Sequence, residues 1–504
     1  MEALRNEITL GLVTVYLAAC IAIGFWAMRR TRSSRDFFVA GRQLGTWVTS
    51  IAIFSTTLSG FGFVGGPGMV YSMGITSVWL IVTSVTGYVL AFVLLAKRLR
   101  LLSEARDSVS LPDVVTARYG SATTGGLVSL AIVLGVLGYL ATQILAMATV
   151  LQDVLGASVE SAFAVDRGAV SLEVCTAITC GVLVVYCTTG GIIASVYTDV
   201  MQGAMMVVAA VLVCLAANAA MQGGFPAIGA ALVADDPEAI GPWGTLGMLG
   251  SLSFFSLYLL GTAGQPHVVT KLMMTRHVGS AKQILPLSLA GYTMSALLWV
   301  SVGLVMRALV VSGGHEPLAT SDMAAPVFLQ RYAHPILAGL VFAGLLAAIM
   351  STADAFLNIG AAALVHDLPK AVRGRPFANE LRAARIASVG LTLVGAAFAL
   401  YSHHVNARMI GFLGIFGSAT FAAALVPVVA IGLNWRRATP LAASCAIVVS
   451  LLINVGIEVL GVRLPFGIHG GIVAMLFSLS LFFGISLAQR PPVLAPDVEA
   501  VFDV

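Results

Sequence analysis

Ala347-Ala348-Ile349-Met350-Ser351-Thr352-Ala353-Asp354-Ala355-Phe356-Leu357-Asn358 sets a short polar patch inside an apolar run that extends from about 336 to 366. A bilayer with a hydrocarbon core about 30 Å thick is crossed by about 20 apolar residues in a helix. The run therefore reads as a membrane-spanning helix. Inside lipid its Ser, Thr, Asp and Asn side chains need partners within the protein, and a central Asp costs about 2.5–3.5 kcal/mol on insertion scales. Such a patch faces a cavity or the interior of a helix bundle, and it reads as a functional site.

The rest of the 504-residue chain agrees with that reading. It is 59% hydrophobic and only 10% charged, with mean hydropathy +0.97, whereas soluble domains carry roughly 25% charged residues. Thirteen apolar segments lie near residues 8–28, 46–72, 74–97, 124–154, 170–187, 191–218, 244–270, 283–311, 336–366, 384–402, 409–432, 438–460 and 467–488. Alternating strand patterns are absent, which argues against a β-barrel. The expected fold is an all-α polytopic membrane protein of about 13 transmembrane helices. It forms one transmembrane unit over 1–504: a first span and loop (1–45), two larger blocks (46–218 and 244–432), two extra spans (438–488) and a tail (489–504). The six cysteines sit within apolar segments without a Cys-x-x-Cys pair, so buried packing is preferred to disulfide or metal roles.

Charge sets the orientation. The loop 29–42 holds five arginines and 97–118 holds five basic residues. Lys271, Arg276 and Lys282 follow the seventh segment, and Lys370, Arg373, Arg375, Arg382 and Arg385 follow the ninth. Arg436, Arg437 and Arg490 continue the alternation, while the loop after the sixth segment carries Asp235, Asp236 and Glu238. The positive-inside rule then places the N-terminus outside and the C-terminus in the cytoplasm of a cell-membrane protein. The formal net charge of +4 follows from topology, and no basic patch with interleaved aromatics suggests a nucleic-acid partner. The first span is expected to be retained, because its cationic flank follows it instead of preceding it.

Two segments are interrupted. The second contains Ser59-Gly60-Phe61-Gly62-Phe63-Val64-Gly65-Gly66-Pro67-Gly68 and the seventh Gly261-Thr262-Ala263-Gly264-Gln265-Pro266-His267. Breakers at corresponding places in two halves point to a binding site made from discontinuous helices. The two segments are five apart, an odd number, so they run in opposite directions. This suggests inverted five-helix repeats, spans 2–6 and 7–11, with helices 2 and 7 broken. Simple kinking is the competing account, since Gly and Pro are tolerated in membrane helices.

A hard monovalent cation wants several oxygens, which carbonyls freed at a break and nearby hydroxyls supply. Ser55, Thr56, Thr57 and Ser59 precede the first break, and Ser351 and Thr352 are adjacent on the ninth span. If these two spans touch, their oxygens form a cage. Any one hydroxyl alone is as well explained by a bond to its own helix. Asp199 and Asp354 are the acids near such a cage; Asp199 could also be a solvated helix-start residue. Thr56, Thr57, Ser59 and Gly60 at the first break, with Gln143, Tyr258, Thr262 and Gln265, could face an organic solute. His366, His403 and His469 lie at segment ends and read as interfacial.

At these residues the chain resembles the sodium:solute symporter family, whose members carry proline, pantothenate, acetate, sialic acid and sugars. Four blocks carry the resemblance: Asp36-Phe37-Phe38-Val39-Ala40-Gly41-Arg42, the Ser59–Gly68 block, Gly190-Gly191 with Thr198-Asp199 and Gln202, and Met350-Ser351-Thr352-Ala353-Asp354. The resemblance implies a leucine-transporter-type inverted repeat and coupling to Na⁺, with no organic cofactor. It places sodium on the carbonyls of Ser55, Leu58 and Ala348 and the hydroxyls of Ser351 and Thr352, with Asp199 as the nearby acid. Arg42 matches a loop arginine, and Gly264-Gln265-Pro266-His267 is most like proline-type members. The chain departs from the proline carriers at Thr57, where they have Asp, and at Thr262, where they have an aromatic residue. At the positions where some members bind a second sodium it has Asp354 and Ala355, and Ala355 lacks a hydroxyl.

The expected function is secondary active symport of Na⁺ with a small organic solute into the cell, an amino acid such as proline or a carboxylate or sugar. A transporter-like membrane sensor and a proton-coupled carrier are the alternatives. No His-Glu-x-x-His or Gly-x-x-x-x-Gly-Lys-Ser/Thr motif points to an enzyme or an ATP-driven pump. Oligomeric state is not legible.

Overall fold

A computed structural model describes residues 2–59, 65–163, 170–244, 247–405, 408–460, 462, 464–465 and 468–503. Its framework is helical: α1 (Glu2–Met28), α2 (Thr46–Thr57), α3 (Gly66–Met73), α4 (Val78–Ala91), α5 (Leu111–Tyr119), α6 (Ala122–Phe163), α7 (Leu172–Ala220), α8 (Gly247–Gly261), α9 (Pro266–Met273), α10 (Ala281–Val311), α11 (Pro335–Ala362), α12 (Glu380–Val405), α13 (Arg408–Leu425), α14 (Pro440–Val459) and α15 (Gly470–Ala488). Among the described residues ten helical stretches are long and apolar enough to cross a membrane. Large apolar side chains such as Val93, Leu215, Ile386 and Leu393 are exposed, the surface expected of a protein solvated by lipid.

Both interruptions read in the sequence are real breaks. Helix α2 ends at Leu58, whose ψ of 64° leaves the helical region, and α3 resumes beyond it with Pro67 in its first turn. Helix α8 passes into a tight turn at Thr262–Gly264. Gln265 is then extended and Pro266 opens α9. Proline disfavours the helical region for the residue before it and is well suited to a first helical position. One residue thus both breaks the span and restarts it.

Helix α7 covers the fifth and sixth apolar segments, and the chain reverses inside it. Its first half runs alongside α1 in the same direction. A Cβ on Gly24 would lie 2.6 Å from Tyr186 Cβ, and one on Gly190 would lie 2.5 Å from Ala27 Cβ. Its second half runs the other way, with Tyr197 against Trp26 and Gln202 donating to Tyr16 Oη at 2.8 Å. The reversal falls on Gly191 (φ 55°, ψ −143°), backbone that only glycine adopts without strain.

Helix α11 is the axle. The most apolar stretch of its span is 83% buried, against 33% for α1. Loops gather at two opposite ends. At one, Arg42 bonds the carbonyls of Ser103 and Ser108, Arg100 Nε reaches Thr275 O, Leu44 pairs with Thr275, and Arg106 and Arg436 bind Asp497 and Asp503 of the C-terminal segment. At the other, Arg5 donates to Ala333 O, Asn6 to Ala157 O, and Arg307 pairs with Asp235 and Asp236. The two termini therefore lie at opposite ends of the bundle.

Candidate ion and solute site

Helices α2 and α11 touch where the first break begins. Ser351 Oγ lies 3.1 Å from Ser55 O and 2.9 Å from Ala348 O. Thr352 Oγ1 lies 2.8 Å from Thr56 O and 3.2 Å from Ala348 O. All these residues are buried. Four of the five expected sodium ligands (Ser55, Ala348, Ser351 and Thr352) thus converge. Leu58, the fifth, ends the helix one turn beyond Ser55. The surroundings are rich in unused acceptors. Ser55 Oγ, Asp199 Oδ1 and Gln202 Oε1 are buried and have no partner among the described residues. A buried acceptor without a donor is costly, and a cation removes that cost. The donor set, neutral oxygens with one acid beside them, fits a sodium ion.

Asp199 is not a solvated helix-start residue. It is fully buried and forms an ion pair with Lys271, Nζ to Oδ2 2.7 Å. Lys271 Nζ also donates to Ala52 O at 2.9 Å and to Thr56 Oγ1. Lys271 is not a loop cation, as its place after the seventh segment had suggested: it is 1% exposed, because α9 continues the broken span inward and points the side chain at α7. Two charges inside a low-dielectric bundle are tolerable only as a hydrogen-bonded pair. Lys271 could have been found by asking which cation offsets Asp199.

Asp354 is held differently. Ser195 Oγ lies 2.6 Å from Oδ1, and Tyr186 Oη and Thr198 Oγ1 lie 2.9 and 3.4 Å from Oδ2. Its backbone carbonyl accepts from Asn358 Nδ2 at 2.9 Å. Ser195, Asp199 and Gln202 recur at helical spacing and share one buried polar face of α7, from which Ser195 meets α11, Asp199 meets α9 and Gln202 meets α1. Tyr186 reaches the same carboxyl only because the chain reverses at Gly191.

The residues expected to face a solute divide into two groups. Ser59 Oγ accepts from Tyr139 Oη at 3.3 Å. Tyr139 packs on Phe356 (ring centroids 4.6 Å), and Phe356 packs on His267 (4.5 Å). Gln143 is buried one turn along α6 from Tyr139. At the second break Gln265 Oε1 and His267 Nδ1 are buried with no partner among the described residues. By contrast Thr57 bonds Tyr88, on α4, and Thr56 serves Lys271 and Asp199. Thr262 bonds Tyr258 O and packs on Gly87, while Tyr258 packs against the cluster of Leu80, Phe255 and Trp299. These four are absorbed in helix packing. Gly60 lies outside the described residues. Tyr139, His267 and Phe356 were not singled out from sequence, since an aromatic residue in an apolar span carries no distinguishing signal.

Broken helices around an oxygen cage, enclosed in a polytopic helical bundle, define a secondary transporter of the kind with discontinuous spans. The pattern of the sodium:solute symporter family matches residues 37–449, and the chain belongs to that family. It is 25% identical over 482 residues to the osmoregulated proline transporter OpuE of Bacillus subtilis, covering 95% of both chains. It is 27% identical over 486 residues to a sodium/pantothenate symporter of Haemophilus influenzae, covering 94% of this chain and 96% of that one. Among solved structures, a Na⁺-coupled sialic acid symporter in a substrate-bound outward-open state superposes with TM-score 0.81 at 18% identity, covering 97% of this chain and 99% of that one. That likeness establishes the shared fold.

Proposed function

We propose that the protein imports a small organic solute together with one Na⁺ by alternating access. The observation that carries this is the meeting of Ser351 and Thr352 with the carbonyls of Ser55 and Thr56 at the end of a broken helix. Sodium is held there by Ser55 O, Leu58 O, Ala348 O, Ser351 Oγ and Thr352 Oγ1, in place of the hydrogen bonds these groups now share. The ion ties α2 to α11 and fixes the first break in the shape that receives a solute. The solute rests between the breaks, against Ser59, Gln143, Tyr139, His267 and Gln265. A proline-like amino acid is favoured by the Gly264-Gln265-Pro266-His267 segment and by the proline-carrying relative.

One sodium is the stoichiometry the residues favour. Lys271 already neutralises Asp199, and Ala355 offers no hydroxyl. The grouping of loops at two ends supports thirteen crossings in two inverted units, spans 2–6 and 7–11. The N-terminus is outside and the C-terminus in the cytoplasm. A charge crossing 100 mV is worth about 2.3 kcal/mol, and a tenfold sodium gradient adds about 1.4 kcal/mol.

The test is a thermal-shift screen of purified protein against amino acids, carboxylates and sugars, in Na⁺ and in K⁺. A ligand that binds the folded state raises apparent stability by mass action. The expected result is a solute whose stabilisation requires Na⁺, with that requirement weakened in Ser351→Ala and Thr352→Ala. A sodium response unchanged in both variants removes the cage from the mechanism.

A further inference from the structure

Below the sodium cage, toward the end of the bundle that gathers the basic loops, lies a cavity lined by Phe38, Thr270, Met274, Asn358, Ala362 and Asp367 among others. It has room for about one water molecule, or an ion of similar size. Two of the lining residues carry an oxygen with no partner among the described residues: Asn358 Oδ1 and Asp367 Oδ2. Their side chains are 2% and 5% exposed. Both oxygens are acceptors, so the cavity asks for a donor or a cation.

The charges around its inner mouth point to a cation. His366 Nε2 lies 2.8 Å from Asp113 Oδ2 and Nδ1 2.7 Å from Glu380 Oε1. Each ring nitrogen faces a carboxylate oxygen, an arrangement satisfied by an imidazolium. Lys370 Nζ lies 2.7 Å from Asp113 Oδ1. The two cations are taken by Asp113 and Glu380, and Asp367 has no ion pair among the described residues. Asp367 lines the cavity; its Oδ1 accepts from Ser110 Oγ and its Oδ2 has no partner among the described residues. At the upper end, Asn358 Nδ2 bonds Asp354 O, and Thr270 adjoins the buried Lys271. The cavity begins one helical turn below the acids beside the cage.

We propose that this cavity is a second cation station, where Na⁺ leaving the cage pauses under Asn358 Oδ1 and Asp367 Oδ2 before reaching the cytoplasm. The inference rests on the sodium cage of the preceding subsection. Helix α11 then carries both stations on one element, Ser351 and Thr352 above and Asn358 below, followed by Asp367 on the wide π-helical turn Ala363–Asp367 that ends it. Wide turns of this kind recur at functional positions.

The experiment is equilibrium binding of radioactive Na⁺ to purified, monodisperse protein, with choline making up the salt. The wild type is expected to show two components. Asp367→Asn keeps the side chain's shape and the bond from Ser110; it should lose one component and retain the one that Ser351→Ala abolishes. Asn358→Leu, which fills the cavity, should produce the same loss and serves if Asp367→Asn does not fold. An Asp367→Asn curve that superimposes on the wild type overturns the station, as does loss of all binding in that folded variant. Loss in Asp367→Asn with no change in Ser351→Ala upholds the station and overturns the cage. No Na⁺ binding in the wild type overturns both.

Discussion

Lys271 and Asp199 are the residues whose pairing most constrains the site. Burial of either charge alone is far more costly than burial of both. Lys271→Met leaves Asp199 without its cation in an apolar bundle, and the expected destabilisation is about 3–5 kcal/mol. Asp199→Asn alone strands the ammonium with a comparable penalty. The double variant Lys271→Met with Asp199→Leu should recover most of the loss, because no charge remains uncompensated. Thermal unfolding in one detergent of the wild type, Lys271→Met, Asp199→Leu and the double variant forms a double-mutant cycle, and an additive result would contradict the pairing. Asp199 was legible in the sequence as an expensive residue. Its partner was not, because Lys271 sits at the end of an apolar segment, where a lysine normally snorkels to water.

At the level of elements, two joints decide how the spans are placed. Gly191 turns α7 back on itself with backbone at φ 55° and ψ −143°, and a Cβ there would lie 2.5 Å from the Phe37 ring. Gly191→Ala should lower stability by about 1–3 kcal/mol through backbone strain alone. In a Phe37→Ala background the overlap is gone and the strain remains, so Gly191→Ala should still lower stability relative to Phe37→Ala alone; no further loss in that background, measured by thermal unfolding, would show that the ring was the whole problem. The second joint ties α5 to the inner ends of α11 and α12. Burial raises the pKa of Asp113, but hydrogen bonds and charges from His366 and Lys370 outweigh it and hold the carboxyl down at about 2. A depressed carboxylate stabilises the fold above its unfolded pKa of about 4, and that stability is lost as pH falls toward 2. The contribution is about 2 kcal/mol. Asp113→Asn should be less stable than the wild type at pH 6 and converge with it on acidification. Parallel stability curves for the two proteins would refute the assignment. The sequence announced the element on each side of these joints. It did not announce that a histidine at a span end would face carboxylates from α5 and α12, since those contacts join residues 14 and 253 positions away.

For the whole molecule, the reading to test is an odd number of crossings. The fully exposed Val493 and the exposed Glu316 lie at opposite ends. In intact cells a membrane-impermeant thiol reagent should label Glu316→Cys from outside. Val493→Cys should be labelled only after the membrane is opened. Equal labelling of both sites in intact cells would reject the proposed topology.

The chain by itself determined the class of architecture. Continuous apolar segments of membrane length, glycine and proline at two corresponding places, and hydroxyls beside an acid in one span each follow from local composition, because lipid demands that every helix satisfy its own backbone. Ser55, Ser351 and Thr352 were legible as candidate oxygens for the same reason, since polar groups in lipid need partners within the protein, whereas Leu58 and Ala348 came only from the family resemblance. Tertiary structure alone decided the partners. It gave Asp199 to Lys271, surrounded Asp354 with Tyr186 and Ser195, drew Thr57, Tyr258 and Thr262 into helix packing, and left Asn358 and Asp367 facing a cavity. The physical reason is that burial and charge compensation are properties of which helices meet, and helix contacts join residues too far apart in the chain for local pattern to specify.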